Sequence, residues 1–228
     1  AFVRIFFQAF YPLQIKWVPI LWVLAALTVI IGNMTALYQR NIKRMLAYSA
    51  IAHAGYILMA MVAGNDLGSS SILYYLLVYS FMNIGAFGVV MICERREESS
   101  LDITSYKGLG FRQPLLAVAM TIFLLSLAGI PPTGGFVGKF YVFSATVKAG
   151  YIGLTVIAVL ASVIAVYYYL RIVVYMYMYE PEADFVESRV SPLSSFALIL
   201  SVIGIFQLGL APATILDLAQ RSISILLK

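Results

Sequence analysis

Charged residues are scarce in this sequence. Asp, Glu, Lys and Arg make up 11% of its 228 residues, whereas soluble domains contain about 25%. Hydrophobic residues make up 62%. A soluble domain of this size cannot hide so much apolar surface from water. The composition therefore excludes a soluble enzyme and indicates a membrane protein.

Cysteine and histidine are almost absent as well. One cysteine (Cys93) and one histidine (His53) exclude a disulfide framework, a Cys/His zinc site and an iron–sulfur cluster held by this chain alone. We therefore expect no metal and no redox cofactor in this chain. The 15 basic residues are spread through apolar sequence and form no basic stripe, so the expected partner is the lipid bilayer and not nucleic acid.

Long apolar stretches fill most of the chain. A membrane-crossing helix needs roughly 20 mainly apolar residues to cover about 30 Å of hydrocarbon. Five stretches meet this length: 17–37, 45–63, 70–92, 152–178 and 193–215. Residues 1–10 lack the features of a signal peptide and predict the end of a further helix, while 216–228 predict a short amphipathic tail. We predict one all-α domain (1–228), a polytopic transmembrane helix bundle.

The segment 114–148 is apolar throughout but interrupted by PPTGGFVG at 131–138. Proline and glycine destabilise a helix interior, so we predict a discontinuous helix broken at 131–138. The residues assigned to this break are Pro131, Pro132, Gly134, Gly135 and Gly138.

Basic residues in the links predict the orientation, because cytoplasmic links are rich in Lys and Arg. If 114–148 crosses once, eight basic residues lie on one side: Arg40, Lys43, Arg44, Arg95, Arg96, Lys107, Arg112 and Arg189. Four lie on the other: Lys16, Lys148, Arg221 and Lys228. If 114–148 crosses twice, ten basic residues lie on one side and two on the other. However, residues 136–148 are too few for a second full span. We favour a single broken crossing.

Lys139 is the main candidate for chemistry. It follows the predicted break at once, near the middle of 114–148. Non-helical backbone is tolerated in a membrane where protein buries it or water reaches it, so a lysine there indicates a hydrated pocket. A buried lysine can take up and release a proton, whereas arginine stays charged. The alternative is a lysine that reaches from a helix end to the interface.

His53 lies within the stretch 45–63, with Ser49 and Tyr56 about one helical turn away on either side. An imidazole both accepts and donates a proton, so it can pass one along. A neutral histidine bonded to a neighbouring hydroxyl is an equally good interpretation. Tyr79 and Ser80 place hydroxyls in the stretch 70–92, where a proton chain could use them, although such groups usually bond across helices.

Arg171 is the remaining cation inside a predicted span, and we favour a structural role for it. No acidic residue lies within any predicted span. A lysine-based relay normally needs an anionic partner, which we therefore expect outside this sequence, either upstream or on another subunit.

Three segments carry a family resemblance. Residues 32–61 (GNMTALYQRNIKRMLAYSAIAHAGYILMAM), 127–151 (LAGIPPTGGFVGKFYVFSATVKAGY) and 161–177 (ASVIAVYYYLRIVVYMY) closely resemble the antiporter-like membrane subunits of respiratory complex I. The resemblance implies roughly the second half of an inverted-repeat, antiporter-like fold. It also implies that Lys139 is the lysine of a broken helix, that His53 relays protons, and that 114–148 crosses once.

The resemblance also implies partners and a location. Other membrane subunits would surround the chain in a bacterial inner membrane, and the complex would bind NADH, flavin, iron–sulfur clusters and a quinone in other subunits. Some sister subunits have a further histidine where this sequence has Tyr79 and Ser80. In this chain, hydroxyls or water would then carry out the proton transfer at that position. Two alternatives stay open: a subunit of a multi-subunit sodium/proton antiporter, and a scaffold whose polar residues only hold helices together.

Overall fold

The computed structural model describes residues 2–94, 101–181 and 190–226. The described part is a bundle of α-helices, which confirms the predicted all-α fold. In chain order the helices are α1 (Phe2–Arg4), α2 (Gln14–Tyr38), α3 (Ile42–Ala63), α4 (Asp66–Cys93), α5 (Leu109–Arg112), α6 (Pro114–Ala128), α7 (Gly134–Lys148), α8 (Ile152–Met178), α9 (Pro192–Leu210) and α10 (Ala213–Leu226).

Among the described residues, five helices are long and apolar enough to cross a membrane, namely α2, α3, α4, α8 and α9. They cover the five predicted stretches, with one correction. The predicted span 193–215 is too long, because α9 ends at Leu210 and a separate helix begins at Ala213. Pro212 disfavours a helical conformation of the residue before it, and Ala211 has a φ of −130° and a ψ of 62°.

Short, capped turns join α2, α3 and α4. The side chain of Asn41 accepts a hydrogen bond from the Arg44 amide at the start of α3, and Asn65 accepts one from Gly68 at the start of α4. Gly64 ends α3 with a φ of 60°, a left-handed conformation that glycine adopts without strain. These turns fold the three helices back on one another, and α2 and α3 pack together along their length.

One end of the bundle carries five of the described basic residues. There the Ile103 amide donates to the Arg40 carbonyl at 2.8 Å, and Lys43 forms an ion pair with Glu94 at 2.5 Å. We call this the basic end; its cations are Arg40, Lys43, Arg44, Lys107 and Arg112. The described basic residues Lys16, Lys148 and Arg221 lie in other links and in α10, while Arg95, Arg96, Arg189 and Lys228 lie outside the described residues.

The two halves of the broken segment follow α4 in a single direction. Near the start of α4, the Asn65 amide donates to the Ala145 carbonyl near the end of α7 at 3.0 Å. Farther along α4, Tyr75 lies against Gly138 of α7, and Gly85 lies against Phe123 of α6. From the start of α4 onward, its neighbours are therefore first the end of α7, then the start of α7, and then α6. A segment that crosses once, with a break between its two helices, takes this course.

Buried apolar side chains form two clusters that meet around a few polar groups. One cluster includes Phe123, Tyr168 and Tyr169, and the other includes Tyr56 and Tyr75. The buried polar residues Ser49, His53 and Lys139 contact tyrosines of these clusters. A compact polar region thus lies where the two apolar clusters meet.

Candidate functional site

Lys139 lies in the second turn of α7, and only 5% of its surface is exposed. Its Nζ donates to the Leu127 carbonyl at 3.0 Å and to the Ala128 carbonyl at 2.9 Å. These carbonyls belong to the last turn of α6, where a helix leaves acceptors without an intrahelical partner and carries partial negative charge. The helix break therefore creates the site that holds the ammonium group.

The break itself is shorter than predicted. It covers residues 129–133, and α7 has already begun at Gly134. The prediction of a break over 131–138 is therefore wrong for Gly134, Gly135 and Gly138, which lie inside α7. Glycine is tolerated at the start of a helix, and here Gly135 and Gly138 allow close packing between α7 and its neighbours.

Gly135 and Gly138 let α7 approach its neighbours. A Cβ at Gly135 would lie 1.8 Å from the Ser126 carbonyl oxygen, and one at Gly138 would lie 2.7 Å from the Tyr75 ring. The Gly135 amide also donates to the Ser126 hydroxyl at 3.2 Å. These contacts place the end of α6 and the side chain of Lys139 next to each other.

Tyr56 contacts both Lys139 and Tyr75. The Nζ of Lys139 lies 5.2 Å from the centroid of the Tyr56 ring, within the range of a cation–π interaction. The Tyr56 hydroxyl bonds the Ser162 hydroxyl at 2.9 Å, and its ring meets that of Tyr75 edge to face at 6.3 Å. Tyr56 therefore holds both the cation and the neighbouring helices in place.

His53 bridges two tyrosine hydroxyls, and 2% of its surface is exposed. Its Nδ1 lies 2.7 Å from the Tyr75 hydroxyl, and its Nε2 lies 3.4 Å from the Tyr169 hydroxyl. The Tyr79 ring stacks on the imidazole with centroids 4.9 Å apart. Each ring nitrogen thus faces a group that both donates and accepts, so the imidazole can exchange protons on either side.

Two further hydroxyl contacts lie beside His53. The Tyr169 hydroxyl bonds the Ser49 hydroxyl, and the Tyr168 hydroxyl donates to Asn33 Oδ1 at 3.0 Å. The rings of Tyr168 and Tyr169 have centroids 4.5 Å apart. The two neighbouring tyrosines thus connect α8 to both α3 and α2.

Two predicted residues lie apart from this group. Ser80 is exposed on the outer surface of α4, and its hydroxyl donates to the Leu76 carbonyl of the same helix at 2.8 Å. Arg171 donates to the carbonyls of Gln39 at 2.7 Å and Leu37 at 3.5 Å, at the end of α2. Arg171 thus contacts the end of α2, and a structural role for it stays a prediction.

Tyr75 and Tyr169 are the contacts of His53 that the sequence did not single out. Tyr75 precedes Tyr79 by four residues, so the two share a helix face, and that spacing was a usable signal. Within the described ranges, no group of three or more His, Cys, Asp or Glu side chains could hold a metal ion.

Residues 1–165 match the family described as NADH:quinone oxidoreductase/Mrp antiporter, transmembrane. The chain is 49% identical to NADH-quinone oxidoreductase subunit N of Trichlorobacter lovleyi over 99% of its own length and 46% of the relative's. It is also 49% identical to subunit N 1 of Solibacter usitatus, over 97% of its own length and 46% of the relative's. The chain therefore spans a little under half the length of these curated relatives.

Solved structures share the fold. A chain of respiratory complex I from Thermus thermophilus with bound aureothin is 34% identical, with a TM-score of 0.77 over 87% of this chain and 45% of that one. A chain of the Mrp complex from Dietzia sp. DQ12-45-1b is 24% identical, with a TM-score of 0.85 over 99% of this chain and 50% of that one. At that identity the second likeness concerns the fold alone. The resemblance inferred from the three sequence segments is confirmed.

Proposed function

Because the chain belongs to the NADH:quinone oxidoreductase/Mrp antiporter transmembrane family, we propose that it is part of a proton-translocating subunit of an NADH:quinone oxidoreductase. The subunit would lie in a bacterial inner membrane among other membrane subunits. NADH, flavin, iron–sulfur clusters and quinone would bind elsewhere in the complex. One observation carries the proposal: a buried lysine held by a helix break and an imidazole with a hydroxyl on each side both contact the ring of Tyr56.

Lys139 is the proton-holding group in this proposal. As an ammonium it donates to the Leu127 and Ala128 carbonyls. As a neutral amine it has a lone pair and can accept a proton again. Burying the ammonium charge has an energetic cost, and the two carbonyls offset part of it.

His53 and Tyr75 continue the path. The Tyr75 hydroxyl lies 2.7 Å from Nδ1 of His53, and the Tyr75 ring packs on Gly138, the residue before Lys139. A water molecule beside the ring of Tyr56 would complete the step between Tyr75 and Nζ, since polar backbone at the break supports hydration. Protons would then pass between Lys139 and His53 without either side chain leaving its place.

The test replaces Lys139 with methionine in the full-length subunit of the assembled complex. We expect Lys139→Met to lose most proton pumping while the complex still assembles. Protons moved per NADH oxidised would be measured in inside-out membrane vesicles. Lys148→Met is the matched control, since Lys148 ends the same helix but is exposed, and it should leave the ratio unchanged. An unchanged ratio in Lys139→Met would refute the proposal and favour a scaffold role.

A second candidate function is a subunit of a multi-subunit sodium/proton antiporter. The family description includes Mrp antiporters, which supports this candidate. The relatives named subunit N and the 34% identity to complex I favour the first. Co-purification separates the two: flavin and iron–sulfur subunits would accompany a complex I subunit, and membrane partners alone would accompany an antiporter subunit.

A further inference from the structure

Tyr169 joins His53 to Ser49 in the interior of the bundle. Its hydroxyl lies 3.4 Å from Nε2 of His53 and bonds the Ser49 hydroxyl. All three side chains are at most 2% exposed. We infer that Ser49 and Tyr169 form an uptake branch through which protons reach His53 from the basic end of the bundle. This inference rests on the proposed function.

The direction of the branch follows from the helices that carry it. Ser49 precedes His53 by four residues on α3, so it lies one turn nearer the start of that helix. α3 begins at Ile42, next to Arg40 and Lys43 of the basic end. By the rule that cytoplasmic links are rich in Lys and Arg, the basic end faces the cytoplasm.

Lys139 lies toward the opposite end. Its helix α7 runs from the break past Ala145, whose carbonyl accepts from Asn65 in the turn between α3 and α4. That turn lies at the end of α3 remote from Ile42. Ser49 and Lys139 therefore flank His53 along the bundle, as an uptake group and a release group would.

The protons balance along this branch. The Tyr169 hydroxyl gives its proton to Nε2 of His53 and takes one from the Ser49 hydroxyl, which takes one from water at the basic end. His53 then releases the proton on Nδ1 toward Tyr75. One proton enters and one leaves. Rotation of the hydroxyls and exchange of the imidazole tautomer then return these groups to their initial state.

Apolar side chains separate Ser49 from the basic end. Ile42, Met45 and Leu46 are all at most 2% exposed and occupy the first turns of α3. Hydrophobic constrictions of this kind control access by excluding water. Uptake through Ser49 would thus need a transient water between these side chains, which keeps the branch closed against leakage.

The test compares Tyr169→Phe with Tyr74→Phe in the full complex. Each change removes one hydroxyl from a tyrosine that is at most 1% exposed, but the Tyr74 hydroxyl donates to the Leu208 carbonyl and not to His53. We expect Tyr169→Phe to lower the protons moved per NADH oxidised, and Tyr74→Phe to leave that ratio unchanged. Ser49→Ala should match Tyr169→Phe, and it decides the matter if Tyr169→Phe does not assemble.

The other outcomes overturn the inference. Unchanged ratios in Tyr169→Phe and Ser49→Ala would show that protons do not use this branch. Equal losses in Tyr74→Phe and Tyr169→Phe would indicate damage to packing. Lys139→Met, measured in the same series, distinguishes failure of the uptake branch from failure of the proposed function. If Lys139→Met pumps normally, the proposed function is wrong. If Lys139→Met is defective while Tyr169→Phe and Ser49→Ala pump normally, only the uptake branch is wrong.

Discussion

Lys139 and Arg171 are two cations inside the bundle that make the same kind of contact. Lys139 donates to the carbonyls that end α6, and Arg171 donates to those that end α2. Cations are favourable at such ends because the last carbonyls are unpaired and negatively polarised. The two sites differ in what surrounds the cation. Lys139 is buried beside Tyr56, whereas Arg171 is partly exposed beside the basic end.

This difference shows that a helix-end contact does not define a function. The contact holds a charge in place, and the chemistry depends on whether the side chain can give up its proton and whether a carrier lies near. Lysine can be deprotonated in a protein and arginine cannot. We therefore propose proton transfer for Lys139 and helix anchoring for Arg171.

The largest expected effect comes from Lys139→Arg. This change keeps the positive charge and the donors for the α6 carbonyls, but the guanidinium does not release its proton. We expect an assembled complex that oxidises NADH slowly and moves few protons, measured by vesicle acidification against NADH consumption. Normal pumping would mean that Lys139, like Arg171, only anchors a helix.

Gly135→Ala should have the next largest effect. Its new Cβ would lie 1.8 Å from the Ser126 carbonyl oxygen, so α6 and α7 must separate. Overpacking of this kind costs about 1–3 kcal/mol, and the displaced α6 carbonyls would leave Lys139. We expect less assembled complex and a lower thermal midpoint. Gly153→Ala is the control, because nothing lies within 4 Å of its Cβ position; equal loss in both variants would contradict the packing account.

Arg171→Met should have a moderate and purely structural effect. Removing the guanidinium leaves the carbonyls at the end of α2 without their donors, which costs about 1–2 kcal/mol. We expect a lower thermal midpoint and the same number of protons per NADH in the enzyme that remains. A fall in that ratio at normal stability would place Arg171 in the proton path and remove the contrast with Lys139.

Ser80→Ala should have the smallest effect. Its exposed hydroxyl bonds only the carbonyl of Leu76 on its own helix among the described contacts, so we expect normal pumping and stability. Tyr79→Leu, one residue away, removes the ring stacked on His53 and should reduce the pumping rate. A defect in Ser80→Ala that exceeds that of Tyr79→Leu would be inconsistent with this placement.

The sequence singled out Lys139 and His53 as candidates, because ionisable groups inside apolar stretches are few and costly, and in the structure both contact Tyr56. It also predicted the all-α bundle, since long apolar stretches in lipid form helices. It could not identify Tyr169 as the partner of His53, because that contact joins residues 116 positions apart. With sixteen tyrosines in the chain, no local pattern selects the one that lies across a helix interface.

Helix boundaries were the weaker part of the sequence prediction. Composition located the break near Pro131 and Pro132 but not its end, because the glycines that follow belong to α7 and serve close contacts with Ser126 and Tyr75. In the same way, apolar residues on both sides of Pro212 hid the end of α9 at Leu210. Packing between helices decides such points, and packing is not visible in a single sequence.

The most direct measurement of the central claim is the protonation of Lys139 during turnover. Infrared difference spectra of the complex, recorded on addition of NADH with and without ¹⁵N-labelled lysine, would report lysine amine and ammonium bands. Our account predicts isotope-sensitive bands that disappear in Lys139→Arg and persist in Lys148→Met. Spectra in which no lysine band depends on Lys139 would contradict it.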